Sequence, residues 1–144
     1  MLYLYRVDVV YVLITNEQAD QVLVVSNIHT SSWSLPGGAV ESEESLSAAA
    51  IREAREETGL DVELSGICAI NESILESRGE HAVFIVFKAK VVHGETKIIR
   101  PHEIAEVKWV GFEEADRLMP YYKDGIRALV DGPTIPYHNQ GRQK

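Results

Sequence analysis

The chain has 144 residues, of which 45% are hydrophobic and 25% are charged, and its formal net charge is −8. That length fits one ordinary domain able to bury about two-thirds of its unfolded surface, and the composition is typical of a soluble globular protein. The negative charge argues against bulk nucleic acid as a partner, because affinity for a phosphate backbone comes from clustered Lys and Arg.

The sequence shows neither a targeting signal nor a membrane-spanning segment, and its cysteine does not have the features of a catalytic thiol. No apolar run is long enough to cross a bilayer, and Met1-Leu2-Tyr3 lacks the basic region and cleavage site of a signal peptide. The single Cys68 has apolar neighbours, which favours a packed strand residue over a catalytic thiol. We therefore expect a cytoplasmic protein without a membrane partner.

The first part of the chain predicts two strands that lead to a tight turn. Residues 4–15 are rich in β-branched and aromatic side chains, which indicates a long central strand. Residues 21–26 form the returning strand of a hairpin, and a polar loop covers 27–32. Residues 33–36 then lead into the Gly-Gly turn at 37–38, where the backbone can approach other groups closely.

A helix is predicted directly after the Gly-Gly turn. Ser42 is the expected N-cap, with Glu43 and Glu44 in the first turn, where the helix dipole favours negative charge. Gly59 is the expected C-cap. At about 100° per residue, one helix face combines apolar side chains with a cluster of carboxylates. That face holds Leu46, Ala49, Ala50, Glu53, Glu56 and Glu57.

Three glutamates on this face stand at spacings that bring their side chains together. Glu53 precedes Glu56 by three residues and Glu57 by four, so their like charges are unfavourable unless a cation offsets them. Carboxylate oxygens grouped without His or Cys suit Mg²⁺ or Mn²⁺. The alternative is a solvated acidic helix in which Arg52 and Arg55 pair with neighbouring acids.

The string from Gly38 to Leu60 resembles the signature of the Nudix hydrolases, G-x5-E-x7-R-E-U-x-E-E-x-G-U, in which U is an apolar residue. Every fixed position is matched, and Ala54 is the smallest residue that could stand at its U position. So many specified positions in a short span make a chance match improbable. The matching residues are Gly38, Glu44, Arg52, Glu53, Ala54, Glu56, Glu57, Gly59 and Leu60.

The rest of the chain predicts further strands and two late helices. The imperfect alternation over 61–77 suggests one long or bulged strand, and 81–92 reads as a strong strand. Residues 107–110 are short and strand-like. Helices are expected over 112–118 and 121–130. We expect one domain over 1–132 and a polar tail over 133–144.

This order of elements indicates an α+β or mixed α/β protein, and the resemblance implies the Nudix fold, an α/β/α sandwich around a mixed sheet. The resemblance also implies hydrolysis of a pyrophosphate bond in a nucleoside diphosphate linked to another moiety, with water attacking phosphorus. A small nucleotide-type substrate and Mg²⁺, or Mn²⁺, would be required. The sequence leaves open whether the protein is a monomer or a homodimer.

The resemblance further implies roles for residues of the signature. Arg52 is expected to act in catalysis by orienting Glu53 or Glu56 through charge-assisted hydrogen bonds. Glu44 would assist a metal or stabilise the helix start. The histidines show no metal-ligand spacing, which disfavours a zinc site. The expected metal ligands are Glu53, Glu56, Glu57 and the carbonyl of Gly38 or Gly37.

The general base is left open among several acids. Glu103 is favoured, because its loop resembles the segment from which several Nudix relatives bring a catalytic glutamate. Glu106 is the nearer competitor, and Glu53 and Glu44 are further candidates. A base must be within hydrogen-bond reach of the attacking water.

The sequence does not assign the substrate-binding residues. Relatives that sanitise oxidised purine triphosphates read the base with an Asn in the late helical region, and the comparable place here is near Tyr122. This departure weakens that substrate assignment. Aromatic side chains that could stack on a base, or simply pack in the fold, are Tyr3, Tyr5, Trp33, Tyr121 and Tyr122.

A second class of function is a non-catalytic Nudix-fold module that binds nucleotides or a partner as a sensor. Such a module is expected to have lost one of the ligand glutamates, and none is missing here. The sequence therefore favours the enzyme.

Overall fold

A computed structural model describes residues 3–144, in which seven strands form a mixed sheet accompanied by three α-helices. Met1 and Leu2, part of the predicted domain 1–132, lie outside the described residues. The elements in chain order are β1 (Tyr5–Thr15), β2 (Gln21–Asn27), β3 (Ser32–Ser34), β4 (Gly37–Ala39), α1 (Leu46–Thr58), β5 (Asp61–Leu75), β6 (Glu80–His93), β7 (Ile104–Gly111), α2 (Phe112–Leu118) and α3 (Ile126–Asp131).

The predicted central strand is β1. It pairs in parallel with β6 along its whole length, from Tyr5 opposite Glu80 to Thr15 opposite Lys90. It also pairs antiparallel with β2 and with the short β4. The order across the sheet is β3-β2-β1-β6-β5, with β4 added to β1 and β7 to β2. These strands pair with the edges of β1, and its side chains from Val10 to Ile14 are mostly buried, which agrees with the nearly continuous apolar sequence there.

Helices cover both faces of the sheet, so the predicted α/β/α arrangement is confirmed. Val10 and Val12 of β1 belong to the same buried cluster as Ala50 and Ala54 of α1. Leu13 points to the opposite face, where it belongs to the cluster that includes side chains of α2 and α3. This alternation follows from the two-residue period of a strand. Ala54, at an apolar position of the signature, is fully buried, and its small side chain lets α1 lie close to the sheet.

The start of α1 differs from the prediction. The N-cap is Ser45, whose Oγ accepts a 3.1 Å hydrogen bond from the backbone N–H of Ala48. Glu43 has a left-handed backbone, with φ of 65°, so the chain cannot be helical there. The prediction of Ser42 as N-cap, with Glu43 and Glu44 in the first turn, is therefore wrong.

Two glycines mark other helix boundaries. Gly59 has φ of 82° and donates its N–H to the last turn of α1, which confirms it as the C-cap. Gly125, with φ of 86°, precedes α3, and Asp116 Oδ1 accepts a 2.8 Å hydrogen bond from the N–H of Ile126. The helix expected over 121–130 is therefore wrong in its first part, because the chain turns before Ile126.

The longer strands agree with the prediction in position, although some differ in length, whereas the short β3 and β4 were not predicted as strands. The long bulged strand is β5, whose pairing with β6 shifts register three times. β7 is longer than the predicted 107–110, because it begins at Ile104 and pairs with β2 as far as Gly111. No helix in the described part of the chain is long and apolar enough to cross a membrane.

Residues of the predicted C-terminal tail contact the domain. Ile135 forms an isolated antiparallel bridge with Ile67 of β5. The ring of Tyr137 packs edge-on against Phe87, with ring centroids 5.2 Å apart, and its hydroxyl accepts a hydrogen bond from the N–H of Ser47. This part of the segment therefore lies against β5 and the start of α1.

Candidate active site

Gly37 and Gly38, predicted as a turn, belong to the short strand β4 and lie directly against the carboxylates of α1. β4 carries Gly37 and Gly38 beside β1, and the N–H of Gly37 donates a 2.9 Å hydrogen bond to Glu57 Oε1. A Cβ atom on Gly38 would lie only 2.6 Å from Glu53 Oε1. Gly38 is therefore required by the close approach of its backbone to a carboxylate, whereas a Cβ on Gly37 would lie 2.1 Å from the backbone oxygen of Val10.

Arg52 holds several of the acids in place. It donates two hydrogen bonds to Glu44, of 2.6 and 2.9 Å, and through Nη1 it reaches Glu53 at 2.8 Å and Glu56 at 3.0 Å. The bond to Arg52 lowers the pKa of Glu44, and the same pairing raises the pKa of Arg52. The contacts to Glu53 and Glu56 are the ones that the signature predicted. The contact to Glu44 was not anticipated, and through it the Glu44 carboxylate holds the Arg52 guanidinium.

Two of the glutamates are buried. The whole residues Glu53 and Glu57 are each 6% exposed, whereas the Glu56 side chain is 30% exposed. Burial raises the pKa of Glu53 and raises that of Glu57 from 4.5 to about 8, even though the Gly37 N–H favours the ionised form of Glu57. A cation between these side chains would lower the cost of ionising them.

Arg100 is a cluster residue that the sequence reasoning missed. It belongs to the loop between β6 and β7, and its guanidinium donates to Glu56 Oε2 and to Glu103 Oε2, the latter at 3.2 Å. Arg100 and Glu56 are 44 residues apart, so no local spacing could have revealed the contact.

The donor set of the cluster fits a hard divalent cation. It consists of carboxylate oxygens and glycine backbone, without His or Cys, which suits Mg²⁺ and Mn²⁺. Gly38 has no Cβ, which would clash with Glu53, so its backbone can lie close to these carboxylate oxygens. Across residues 3–144, no group of three or more Asp, Glu, His or Cys side chains is already arranged so that it could hold a metal ion. In this structure the guanidinium groups of Arg52 and Arg100 contact the carboxylates instead.

A cleft of about 1170 Å³ opens beside the cluster. Gly37 and Glu57 form part of its wall, so the cleft reaches the carboxylates directly. Burial raises the pKa of both Tyr121 and Tyr122, so these phenols stay neutral. Among the other cleft-lining residues are Tyr11, Asn27, Asn71, Phe84, Glu103, Tyr121 and Tyr122.

The aromatic candidates from the sequence separate into two groups. Tyr121 and Tyr122 line the cleft with ring centroids 5.0 Å apart. Trp33 lies outside the cleft lining and packs under Lys108, whose Nζ is 4.8 Å from the ring centroid. Tyr3 and Tyr5 likewise lie outside the lining and pack against each other, exposed to solvent.

The two main candidates for the general base lie in different environments. Glu103 lines the cleft together with Glu57, and its charge helps to raise the pKa of Glu57. Glu106 lies on β7 opposite Ser26, is exposed, and is outside the cleft lining. The structure therefore brings Glu103 to the cleft and leaves Glu106 outside it.

Comparison with known proteins agrees with this geometry. The family model of the NUDIX domain matches residues 5–130. The crystal structure of a MutT protein from Methanosarcina mazei Go1 is similar at a TM-score of 0.73 and 28% identity, covering 91% of this chain and 94% of that one.

In two further relatives, the match covers a smaller share of the relative's own length. An mRNA-decapping enzyme subunit 2 from Arabidopsis thaliana is 33% identical over 139 residues, which cover 90% of this chain and 34% of the relative. An ADP-ribose pyrophosphatase from Methanocaldococcus jannaschii (strain ATCC 43067 / DSM 2661 / JAL-1 / JCM 10045 / NBRC 100440) is 32% identical over 84 residues, which cover 56% of this chain and 50% of the relative. The chain thus spans half or less of the length of these two relatives.

Proposed function

Because this chain belongs to the Nudix family, whose domain covers residues 5–130, we propose that it is a pyrophosphohydrolase acting on phosphoric anhydrides. Its substrate would be a small nucleotide derivative, a nucleoside diphosphate linked to another moiety. One observation carries the proposal: the buried Glu53 and Glu57 meet the two glycines of β4 at the wall of a cleft large enough for a nucleotide.

Mg²⁺, or Mn²⁺ in its place, is the proposed cofactor. Glu53, Glu56 and Glu57, with the carbonyl of Gly38, would hold it. When bound, such an ion would neutralise phosphate oxygens and make a bound water more acidic. The proposal is supported by the chemistry of the donor set, because carboxylate and backbone oxygens without His or Cys suit these ions.

The other residues of the cluster would position these groups and move the proton. Arg52, itself held by Glu44, orients Glu53 and Glu56 through its hydrogen bonds. Glu103 accepts the proton from the water that attacks phosphorus. The anhydride bond then breaks, and the leaving phosphate departs with the bridging oxygen. Support for Glu103 comes from its place on the cleft wall near Glu57.

A substrate panel tests this function directly. Nucleoside di- and triphosphates, ADP-ribose, capped dinucleotides and dinucleotide polyphosphates would be incubated with Mg²⁺, and phosphate release would be measured after coupling to a phosphatase. We expect turnover of at least one compound, which excess chelator abolishes. Turnover that survives the chelator would contradict the metal-dependent mechanism. Tight binding without any turnover would favour the non-catalytic sensor module.

A further inference from the structure

Arg100 bridges two acids that have different tasks in the proposed function, and the inference below rests on that function. Its Nη2 donates to Glu56, one of the proposed metal ligands, and its Nη1 donates to Glu103 on the cleft wall at 3.2 Å. The Arg100 side chain is 30% exposed, so the guanidinium lies at the surface of the cluster. One of its two partners, Glu103, lines the cleft, so the guanidinium lies next to the cleft wall.

Backbone hydrogen bonds shape the loop around Arg100. The carbonyl of Arg100 accepts backbone hydrogen bonds of 3.0 Å from Glu103 and 2.8 Å from Ile104. The carbonyl of Glu103 accepts a further bond of 2.9 Å from Ile28, at the end of β2. The guanidinium takes no part in these backbone bonds, so its contacts to Glu56 and Glu103 can change without breaking them.

Arg52 and Arg100 share Glu56 but are anchored differently. Arg52 is fixed from outside the cluster by its paired hydrogen bonds to Glu44 and a further bond to the carbonyl of Ala39. Within residues 3–144, the side-chain partners recorded for Arg100 are the two carboxylates alone. A divalent ion on Glu56 would compete for the same oxygen and repel the guanidinium. Arg100 is therefore the arginine that such an ion would displace.

We propose that Arg100 exchanges partners during the reaction and becomes a phosphate-binding residue. Without a divalent ion, its guanidinium donates a hydrogen bond to Glu56. Once an ion takes Glu56, the guanidinium turns toward the cleft and binds phosphate oxygens of the substrate beside Glu103. The planar, two-pronged donor group of arginine matches phosphate geometry, which makes this second partner chemically suitable.

The first half of the exchange predicts tighter ion binding when the arginine is removed. Mn²⁺ affinity would be measured by calorimetry without substrate, in the wild type and in Arg100→Gln. We expect the variant to bind Mn²⁺ about two- to fivefold more tightly, because the ion no longer displaces an ion pair. Arg55→Gln is the matched control, because it removes the same charge from an exposed side chain paired with Asp61. Equal or weaker Mn²⁺ binding by Arg100→Gln, relative to that control, would overturn the exchange.

The second half predicts weaker phosphate binding by the same variant. The probe is methylenediphosphonate, a diphosphate mimic that cannot be hydrolysed, titrated at saturating Mg²⁺. We expect Arg100→Gln to bind it about ten- to a hundredfold more weakly, as for a lost charge-assisted hydrogen bond, and Arg100→Lys to restore part of the affinity. Unchanged affinity in Arg100→Gln would overturn the phosphate contact.

The opposite signs of these two effects separate the exchange from a structural role. A variant that merely loosened the loop would weaken both kinds of binding, and that result would overturn the proposal. Neither measurement uses turnover. A wild type that binds no Mn²⁺ would refute the proposed metal site and the exchange together, whereas normal wild-type binding with an unresponsive Arg100→Gln would refute the exchange alone.

Discussion

The carboxylate of Glu57 accepts a 2.9 Å hydrogen bond from the backbone N–H of Gly37, a residue twenty positions earlier in the chain. This bond joins the last turn of α1 to the start of β4, and it positions a buried acid at the cleft wall. Since burial raises the pKa of Glu57 to about 8, the carboxyl is mostly protonated around neutral pH when no cation is present. The site is therefore sensitive to both pH and metal.

Replacing Glu56 or Glu57 by Gln should reduce turnover at saturating Mg²⁺ by about a hundredfold or more, because a metal site supplies several kcal/mol of charge stabilisation. The fold should persist, since a Gln at position 57 can still accept the Gly37 hydrogen bond. Steady-state kinetics and circular dichroism would check both points. Glu63→Gln, an exposed acid on β5, serves as the control. Near-wild-type turnover in either cluster variant would contradict the metal-site assignment.

The stability of the metal-free protein should fall as the pH rises from about 5 to above 8, through the ionisation of Glu57. Its pKa in the folded state, about 8, lies above the ordinary 4.5, so between these values the folded protein holds a proton that the unfolded chain has released. The stabilisation is fully present below pH 4.5 and is lost as the pH rises through about 8. Nearby Glu53 and Glu103 favour the protonated form, and Arg100 opposes it.

Urea unfolding with chelator, compared between the wild type and Glu57→Gln, would measure this effect. The difference in unfolding free energy should change by about 1 kcal/mol or more over that pH range. Added Mg²⁺ should reduce the pH dependence, because the ion binds the ionised carboxylate. A difference that stays constant with pH would show that Glu57 has an ordinary pKa.

Alanine at the two adjacent glycines should have different consequences. In Gly38→Ala, the new Cβ would lie 2.6 Å from Glu53 Oε1, and the flexible carboxylate must move away. We expect lost Mn²⁺ affinity with a stability change within about 1 kcal/mol. In Gly37→Ala, the Cβ would lie 2.1 Å from the backbone oxygen of Val10, which cannot move freely. We expect destabilisation of about 2–4 kcal/mol.

Calorimetry with Mn²⁺ and urea unfolding would distinguish these two outcomes. The pair of variants is matched in chemistry and differs by one position. If Gly38→Ala bound Mn²⁺ as tightly as the wild type, the close packing of Gly38 on Glu53 would be unimportant for the metal site.

Replacing Glu103 by Gln should lower kcat by about two to four orders of magnitude, the range for losing a general base. Metal affinity should change little, because α1 supplies the main ligands. Glu106→Gln, outside the cleft, should be nearly silent. A loss confined to KM in Glu103→Gln would mean that the loop binds substrate. A larger effect of Glu106→Gln on kcat at saturating Mg²⁺ would transfer the role to Glu106.

The contacts within α1 could be predicted from the sequence because helix geometry relates sequence spacing directly to distance. Residues three and four apart lie on one face, so the proximity of Arg52 to Glu56 follows from their positions alone. Gly59 was equally predictable, since a helix that ends in a left-handed residue favours glycine. The N-cap was not, because the left-handed backbone of Glu43 arises where the chain turns from β4 into α1, which no local propensity encodes.

The sequence by itself determined the family, the order of most elements and the residues of the carboxylate cluster, because these depend on short-range periodicity and a local signature. Only the tertiary structure decided which distant groups meet them. Arg100 reaches Glu56 across 44 residues, and Glu103 rather than Glu106 lines the cleft. These contacts depend on how the loop after β6 is placed against α1, where hydrogen bonds and packing between separate elements set the geometry.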